Sequence, residues 1–404
     1  MKRGESKRLG RLGLMFAAHA MGTANISLVL AFAPLLQKEL GLSAAAFGLA
    51  VSCYYAAQVA AALPAGWLVD RLGIRRALIG AHVVLAVGMS VIAFAAGSVT
   101  LSLGLAFCGL GYVLVNPATA RGVLSWFDHR HRATAMGIKQ TGVPIGAVAI
   151  ALIAAGVQDW RAFAVALAAA MLLMTPAFLA LSREKPRAAR STVLADLRQA
   201  VTHRRLAAVN VATGLYTSAF GAVLAYFVTF AYEVVHVSLG MASLYLGLLQ
   251  GAAAVGRVGW GVAGDRLPGN GRITGLLACG LLGAAAIASL PFVTSSLGLT
   301  FAAILIGLTV GGFASLAQTL AVESVEPTLA GAAIGYNTLL VTTGLMLGPA
   351  LFALVLMRGG YGAAWSGVAL ALVAGTGLFR ASAALRAGPV HCPGPRVAPE
   401  SRHE

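Results

Sequence analysis

Three basic side chains, Arg121, Lys139 and Arg257, stand inside long apolar runs whose central positions hold no aspartate or glutamate. A charged or amide side chain within a hydrocarbon layer is costly unless it finds a partner or lines a polar cavity, so each is a candidate for contact with a solute. The same runs contain His19 and Asn25, then Tyr54, Tyr55 and Gln58, whose separations of three and four residues put either tyrosine on one helical face with the glutamine. Asn116 precedes Pro117, and Arg121 follows about one turn later; Lys139 and Gln140 are adjacent. The second half offers Tyr216, Tyr226, Gln250, Arg257, Gln318, Tyr336 and Asn337. Basic groups without an acidic counterpart favour an anion over an organic cation. An arginine suits a carboxylate best, because its planar fork can bind in a bidentate way. Glu233 is the acidic residue closest to the interior of a run, and it sits toward one end.

Each candidate has a plainer alternative. Lys139 and Arg121 lie close enough to a membrane edge to snorkel. Arg257 could be structural, pairing with Asp265 two turns on. His19 is either a proton relay, since imidazole titrates in the physiological range, or a neutral hydrogen-bond partner between helices. The tyrosines could be packing residues with a satisfied hydroxyl. Catalysis has less support. The eight histidines are scattered, and His129, His131 and His203 show no partner spacing. Cys53, Cys108, Cys279 and Cys392 form no CxxC or Cys/His pattern, so neither a metal site nor a disulfide framework is expected. No Walker loop occurs, and no catalytic residue or cofactor is expected.

The elements that position these residues follow from composition. Of 404 residues, 59% are hydrophobic and 10% charged, against about 25% charged in a soluble domain. That excludes an ordinary soluble enzyme and a disordered chain. The net charge of +16, from 29 Lys and Arg against 13 Asp and Glu, would point to nucleic acid in a soluble protein. Here the basic residues punctuate apolar runs, and the expected partner is a lipid bilayer rather than nucleic acid. A crossing helix needs about 20 apolar residues. Such spans cover approximately 12–36, 44–68, 76–97, 100–125, 134–156, 160–182, 206–232, 239–264, 273–294, 297–322, 330–356 and 361–385. Twelve spans predict an all-α polytopic membrane protein with a six-helix bundle in 1–182, a cytoplasmic linker at 183–205, a second bundle in 206–388 and a flexible tail at 389–404. Val193, Leu194, Leu197 and Val201 give the linker an amphipathic helical spacing. With both termini cytoplasmic, the external loops carry only Lys38, Arg161 and Arg358, as the positive-inside rule requires. Pro117 and Pro144 are expected to bend spans 4 and 5.

The two halves share landmarks. Gly66 begins GWLVDR and Gly261 begins GVAGDR, each with an aspartate four residues later and an arginine after it: Asp70 with Arg71, and Asp265 with Arg266. An offset of 198 aligns RATAMG, ending at Gly137, with AGAAIG, ending at Gly335, and places Lys139 opposite Asn337 and Gln140 opposite Thr338. Matched halves imply two pseudo-symmetric six-helix bundles around a central cavity. Gly66, Asp70, Arg71, Gly73, Arg75 and Arg76, with Gly261, Asp265 and Arg266, are read as a latch at the inward end, the aspartates pairing with nearby arginines.

GWLVDRLGIRR, from Gly66 to Arg76, resembles the best-known motif of the major facilitator superfamily of secondary transporters. GRVGWGVAGDR, from Gly256 to Arg266, looks like its second-half counterpart, although Pro268, Gly269, Asn270 and Gly271 shorten its basic side. The stretch from Trp126 to Gly146 resembles the loop and fifth helix of many bacterial members. The resemblance implies two rocking bundles, alternating access, and a cavity lined by helices 1, 4, 7 and 10 with parts of 2, 5, 8 and 11. Gly142 to Gly146 reads G-x-P-x-G, a departure from the G-P-x-x-G ending of the superfamily's antiporters. The expectation is a monomer in the bacterial inner membrane that takes up a small organic anion, such as a carboxylate, together with protons. The alternatives are an efflux carrier for drugs or metabolites and a permease for neutral solutes. Proton coupling would have to use His19, Glu233 or the substrate's own charge.

Overall fold

A computed structural model describes residues 2–127, 129–181, 193–267, 270–326 and 329–385. The described residues form an all-helical bundle. In chain order the helices are α1 (Lys2–Ala31), α2 (Ala33–Leu40), α3 (Ala44–Ala93), α4 (Ser98–Trp126), α5 (His129–Gly156), α6 (Trp160–Met174), α7 (Val193–Thr202), α8 (Arg204–Glu233), α9 (Leu239–Arg266), α10 (Gly271–Ser289), α11 (Ser296–Ile306), α12 (Ala314–Glu323) and α13 (Ala330–Ala384). Eleven stretches among the described residues are long and apolar enough to cross a membrane. Large apolar side chains such as Phe94, Leu173 and Phe292 face outward, as a lipid-facing surface allows. Several starts are capped by short polar residues: Ser43, Asp159, Ser238, Asn270 and Ser295 each accept a backbone N–H of the first turn.

Two helical stretches turn back at a glycine. Spans 2 and 3 are joined within α3 at Gly73, with φ 75°, and spans 11 and 12 within α13 at Gly360, with φ 70°. Left-handed backbone of this kind favours glycine, and it reverses the chain without a separate loop. The return at Gly360 is visible in the packing of Phe352 on Trp365, ring centroids 4.6 Å apart across the break. Span 10 differs more from expectation. It is not one helix: α11 passes into a π-helical turn at Gly307–Gly311 before α12 begins. Helical geometry continues through Pro117 and Pro144. Span 6 ends early, passing after α6 into a 3-10 turn at Thr175–Ala180. The amphipathic linker segment is α7; the linker's 183–192 and the tail lie outside the described residues.

Glycines set the closest helix approaches. A β-carbon at Gly146 would stand 2.5 Å from the Ala20 carbonyl oxygen, so α5 lies directly against α1. Gly344, at the offset of 198, lies as closely on Thr217 and the backbone of α8. The G-x-P-x-G stretch therefore serves helix packing, as small residues commonly do in membranes. Between the halves, α5 packs on α9 and α3 on α13.

Candidate transport cavity

A cavity of about 870 Å³ lies between the halves. Its wall takes His19, Thr23 and Ser27 from α1, Tyr54, Tyr55 and Gln58 from α3, and Tyr112 and Asn116 from α4. Gln140 comes from α5, Gln250 and Arg257 from α9, and Thr338 and Thr342 from α13. Gln140 and Thr338 are the pair related by the repeat, and both face the cavity. Among the described residues no aspartate or glutamate lines it, whereas His19 and Arg257 do.

Arg257 is held by the irregular part of span 10. Its Nε donates to the Gly311 carbonyl at 3.2 Å, and its own carbonyl accepts from Ser315 Oγ at 2.7 Å. Trp260 Nε1 donates to Leu308 O at 2.8 Å from the same face. A π-helical turn displaces carbonyls from the regular ladder, so side chains of a neighbouring helix can reach them. The Nε anchor leaves the two terminal nitrogens of the guanidinium for another acceptor.

Behind the opposite wall, Lys139 is fully buried. Its ammonium donates to Asn116 Oδ1 at 2.9 Å and to Thr119 Oγ1 at 3.1 Å, and stands 3.4 Å from His19 Nε2. His19 Nε2 is also 2.8 Å from Thr119 Oγ1. Lys139 thus points inward among α1 and α4, where snorkelling would send it to an edge. It does not itself line the cavity, but its partners His19 and Asn116 do.

Arg121 is placed elsewhere. Its Nη1 bonds Asp70 Oδ1 at 3.0 Å and the Val69 carbonyl at 3.1 Å, outside the cavity. The arginine that pairs with Asp70 thus comes from α4. Arg71 stacks on Trp67 instead, 4.0 Å from the ring, while Arg75 is half-buried and Arg76 exposed. Gly66 lines the cavity, and Gly73 makes the reversal. In the second half, Gly261 and Arg266 end α9, and the Asp265 side chain lies outside the described residues. An ion pair missed in the sequence, Arg272 with Glu323 at 2.8 Å, joins α10 to α12 there. It is not the repeat counterpart of Asp70 with Arg121, because the repeat relates spans 2 and 4 to spans 8 and 10.

The end of the bundle opposite Gly73 is closed by bonds between the halves. Gln37 Nε2 donates to Thr229 Oγ1 at 2.9 Å, Ser243 Oγ to Ala31 O at 2.8 Å, and Tyr226 OH to Ala44 O at 2.9 Å. Tyr226 belongs to this closure rather than to the cavity wall. Glu233 lies at the same end, accepting from Tyr361 OH at 2.9 Å. The remaining candidates pack inside their own halves. Asn25 donates to Gly22 O, Tyr216 OH bonds Leu276 O and Thr376 Oγ1, and Asn337 donates to Asn210 at 2.8 Å. Tyr336 is buried and Gln318 exposed, and neither lines the cavity.

The described helices surround a central polar cavity, closed at one end by hydrogen bonds between the first and second halves of the chain. The sequence pattern of the Major Facilitator Superfamily matches residues 14–349, and the chain belongs to that family. It is a secondary transporter working by alternating access. A protein of Cupriavidus necator described as a probable sulfoacetate transporter, SauU, is 27% identical over 182 residues. That match covers 44% of this chain and only 41% of the relative's length. Among solved structures, a bacterial homologue of the human lysosomal transporter Spinster, inward-facing and unoccupied, superposes with a TM-score of 0.75 at 17% identity, covering 94% of this chain and 96% of its own. The nucleoside transporter NupG gives 0.76 at 15% identity, with 93% and 98% covered. The human organic anion transporter MFSD10 gives 0.67 at 16% identity, with 92% and 99% covered. At these identities the structural likeness establishes the fold alone.

Proposed function

We propose that this transporter takes up a small organic anion, a carboxylate or a sulfonate, with protons across the bacterial inner membrane. The observation that carries the reading is Arg257, a guanidinium on a cavity wall that holds no carboxylate among the described residues. With Nε tethered to Gly311, its terminal nitrogens suit a two-oxygen acceptor. The name of the partial relative SauU adds weight to a sulfonate, since sulfoacetate carries both a sulfonate and a carboxylate. Cavity size agrees, since small-molecule sites commonly occupy about 300–1,000 Å³.

In this reading the chain crosses the bilayer twelve times as two six-helix bundles, with both termini cytoplasmic and the protein working as a monomer. The end closed by Gln37, Ser243 and Tyr226 then faces outward, and the cavity is the inward-facing one. Asp70 with Arg121, and Arg272 with Glu323, brace the inner ends that must meet when the carrier faces outward. The test is thermal stabilisation of the purified protein by mono- and dicarboxylates, sulfoacetate, sugars and cationic dyes, followed by uptake into proteoliposomes. Ligand binding raises apparent stability by mass action. Stabilisation by an anion, with accumulation inside vesicles under an inward proton gradient, supports the reading; a response to cationic dyes alone overturns it in favour of efflux.

A further inference from the structure

The buried lysine behind the cavity wall has no countercharge among the described residues. Its hydrogen-bond partners are His19 on α1 and Asn116 and Thr119 on α4; the titratable groups around them are Tyr112 on α4 and His82 on α3 near His19, with Tyr54 on α3 and Arg257 on α9 near Tyr112. The nearest carboxylate along α3, Asp70, is already bonded to Arg121. An ammonium held only by neutral acceptors inside a membrane protein is expensive. An amide in its place would satisfy Asn116 and Thr119 without that cost, as Asn337 does with Asn210 at the position related by the repeat.

The second observation is His19. It is buried and lines the cavity, and its Nδ1 has no hydrogen-bond partner among the described residues although the atom is shielded from solvent. Its other nitrogen faces Thr119 and Lys139. Thr119 Oγ1 lies 2.8 Å from the Val115 carbonyl and donates its proton there. The same oxygen therefore accepts from both His19 Nε2–H and Lys139. In that arrangement Nδ1 carries a lone pair beside the cavity, and Nε2 carries a proton 3.4 Å from Nζ.

We propose that Lys139 is the binding site of the coupling proton and that His19 passes the proton between it and the cavity. A hydronium ion admitted from the cavity past the side chains that shield Nδ1 gives it a proton, the O–H bond breaking to leave water. The Nε2–H bond then breaks, and that proton goes to the lone pair of the neutral Lys139 amine. His19 is left as the Nδ1–H tautomer, whose Nε2 lone pair accepts from the new ammonium. One proton enters, one is passed on, and only Lys139 gains a charge. The ammonium donates to Asn116, itself part of the wall, so the charge reaches the cavity through a single hydrogen bond. An anion binds better when it is present and leaves more readily once it is lost, which links solute to proton without any carboxylate in the membrane. This inference rests on the anion reading above.

The test uses the full chain, with sulfoacetate and succinate as probes, in two assays: equilibrium binding and proteoliposome uptake. Linkage to one proton predicts that wild-type affinity weakens as pH rises through the lysine's titration, by at most about tenfold per unit. K139Q should bind weakly and K139R tightly, both without that pH dependence. Both should exchange anion across the vesicle while failing to accumulate it under a proton gradient. K139R keeps hydrogen-bond donors and charge, so the test stands even if K139Q does not fold. H19Q should keep the pH-dependent affinity, because Lys139 remains, yet slow proton-driven uptake by about tenfold or more. Persistent pH dependence in K139R overturns the assignment of Lys139, and full-rate uptake by H19Q overturns the relay. Wild-type binding and uptake of anions that ignore pH would sink this inference and leave the anion reading standing. A wild-type protein that binds neither probe nor any other anion would sink both.

Discussion

Replacing Arg257 with glutamine removes a guanidinium from the cavity wall while leaving a polar side chain of similar reach. The magnitude follows from the geometry. Nε is engaged with Gly311, so the anion would meet the two terminal nitrogens in a charge-assisted pair. Hydrogen bonds to charged groups contribute about 1.5–3 kcal/mol. The cavity is open and Arg257 is only half-buried, so the lower part of that range applies. At about 1.4 kcal/mol per tenfold, about 1.5–2 kcal/mol means that R257Q should raise the Kd for sulfoacetate by about 10-fold to 30-fold. R257K keeps the charge but loses both the fork and the Gly311 tether, and should fall between. Equilibrium binding to purified protein reads the effect, and the melting temperature without ligand separates it from damage to the fold. Affinity in R257Q equal to wild type, with the melting temperature unchanged, would show that Arg257 is a structural anchor for span 10 and that the anion lies elsewhere.

Asp70→Asn breaks the ion pair with Arg121, but Asp70 is 43% exposed, so after solvent screening the loss is about 1 kcal/mol or less. Uptake should fall several-fold through a shifted balance between facing states, read by cysteine labelling of the two cavity mouths; unchanged labelling counts against the latch. Gly146→Ala puts a methyl 2.5 Å from the Ala20 carbonyl oxygen and should destabilise by about 1–3 kcal/mol, whereas Gly335→Ala, with open space around it, should leave the melting temperature nearly unchanged. Ser243→Ala removes a hydrogen bond that closes the end opposite Gly73, worth about 1 kcal/mol, and should raise the population open at that end about fivefold by spin-label distances across it.

The spans were legible because the hydrophobic requirement of a bilayer is written residue by residue, and no tertiary contact is needed to read it. The offset of 198 read between RATAMG and AGAAIG also relates Gly146 to Gly344, and each of these glycines marks a place where two backbones nearly touch. The irregular span 10 was not legible. Gly307, Gly311 and Gly312 look like three more glycines in a chain of 49, and only the packed structure shows Gly307 against Leu249 O and Gly312 against Gly256.

The sharpest case is the pair of basic residues near the inner edge. Arg121 and Lys139 are indistinguishable by composition, since each is a lone cation close to the end of an apolar run. Their fates depend on which neighbour each helical face presents. Arg121 turns to α3 and finds Asp70 at 3.0 Å, so its charge is neutralised and its role is bracing. Lys139 turns to α1 and α4 and finds an amide, a hydroxyl and an imidazole. A guanidinium bonded to a carboxylate is a fixed ion pair, whereas a lysine among neutral groups can give up its proton. The difference between the proposed gate at Arg121 and the proposed coupling site at Lys139 is therefore a choice of partner, and partner choice is set by helix rotation, which no span of the sequence carries by itself.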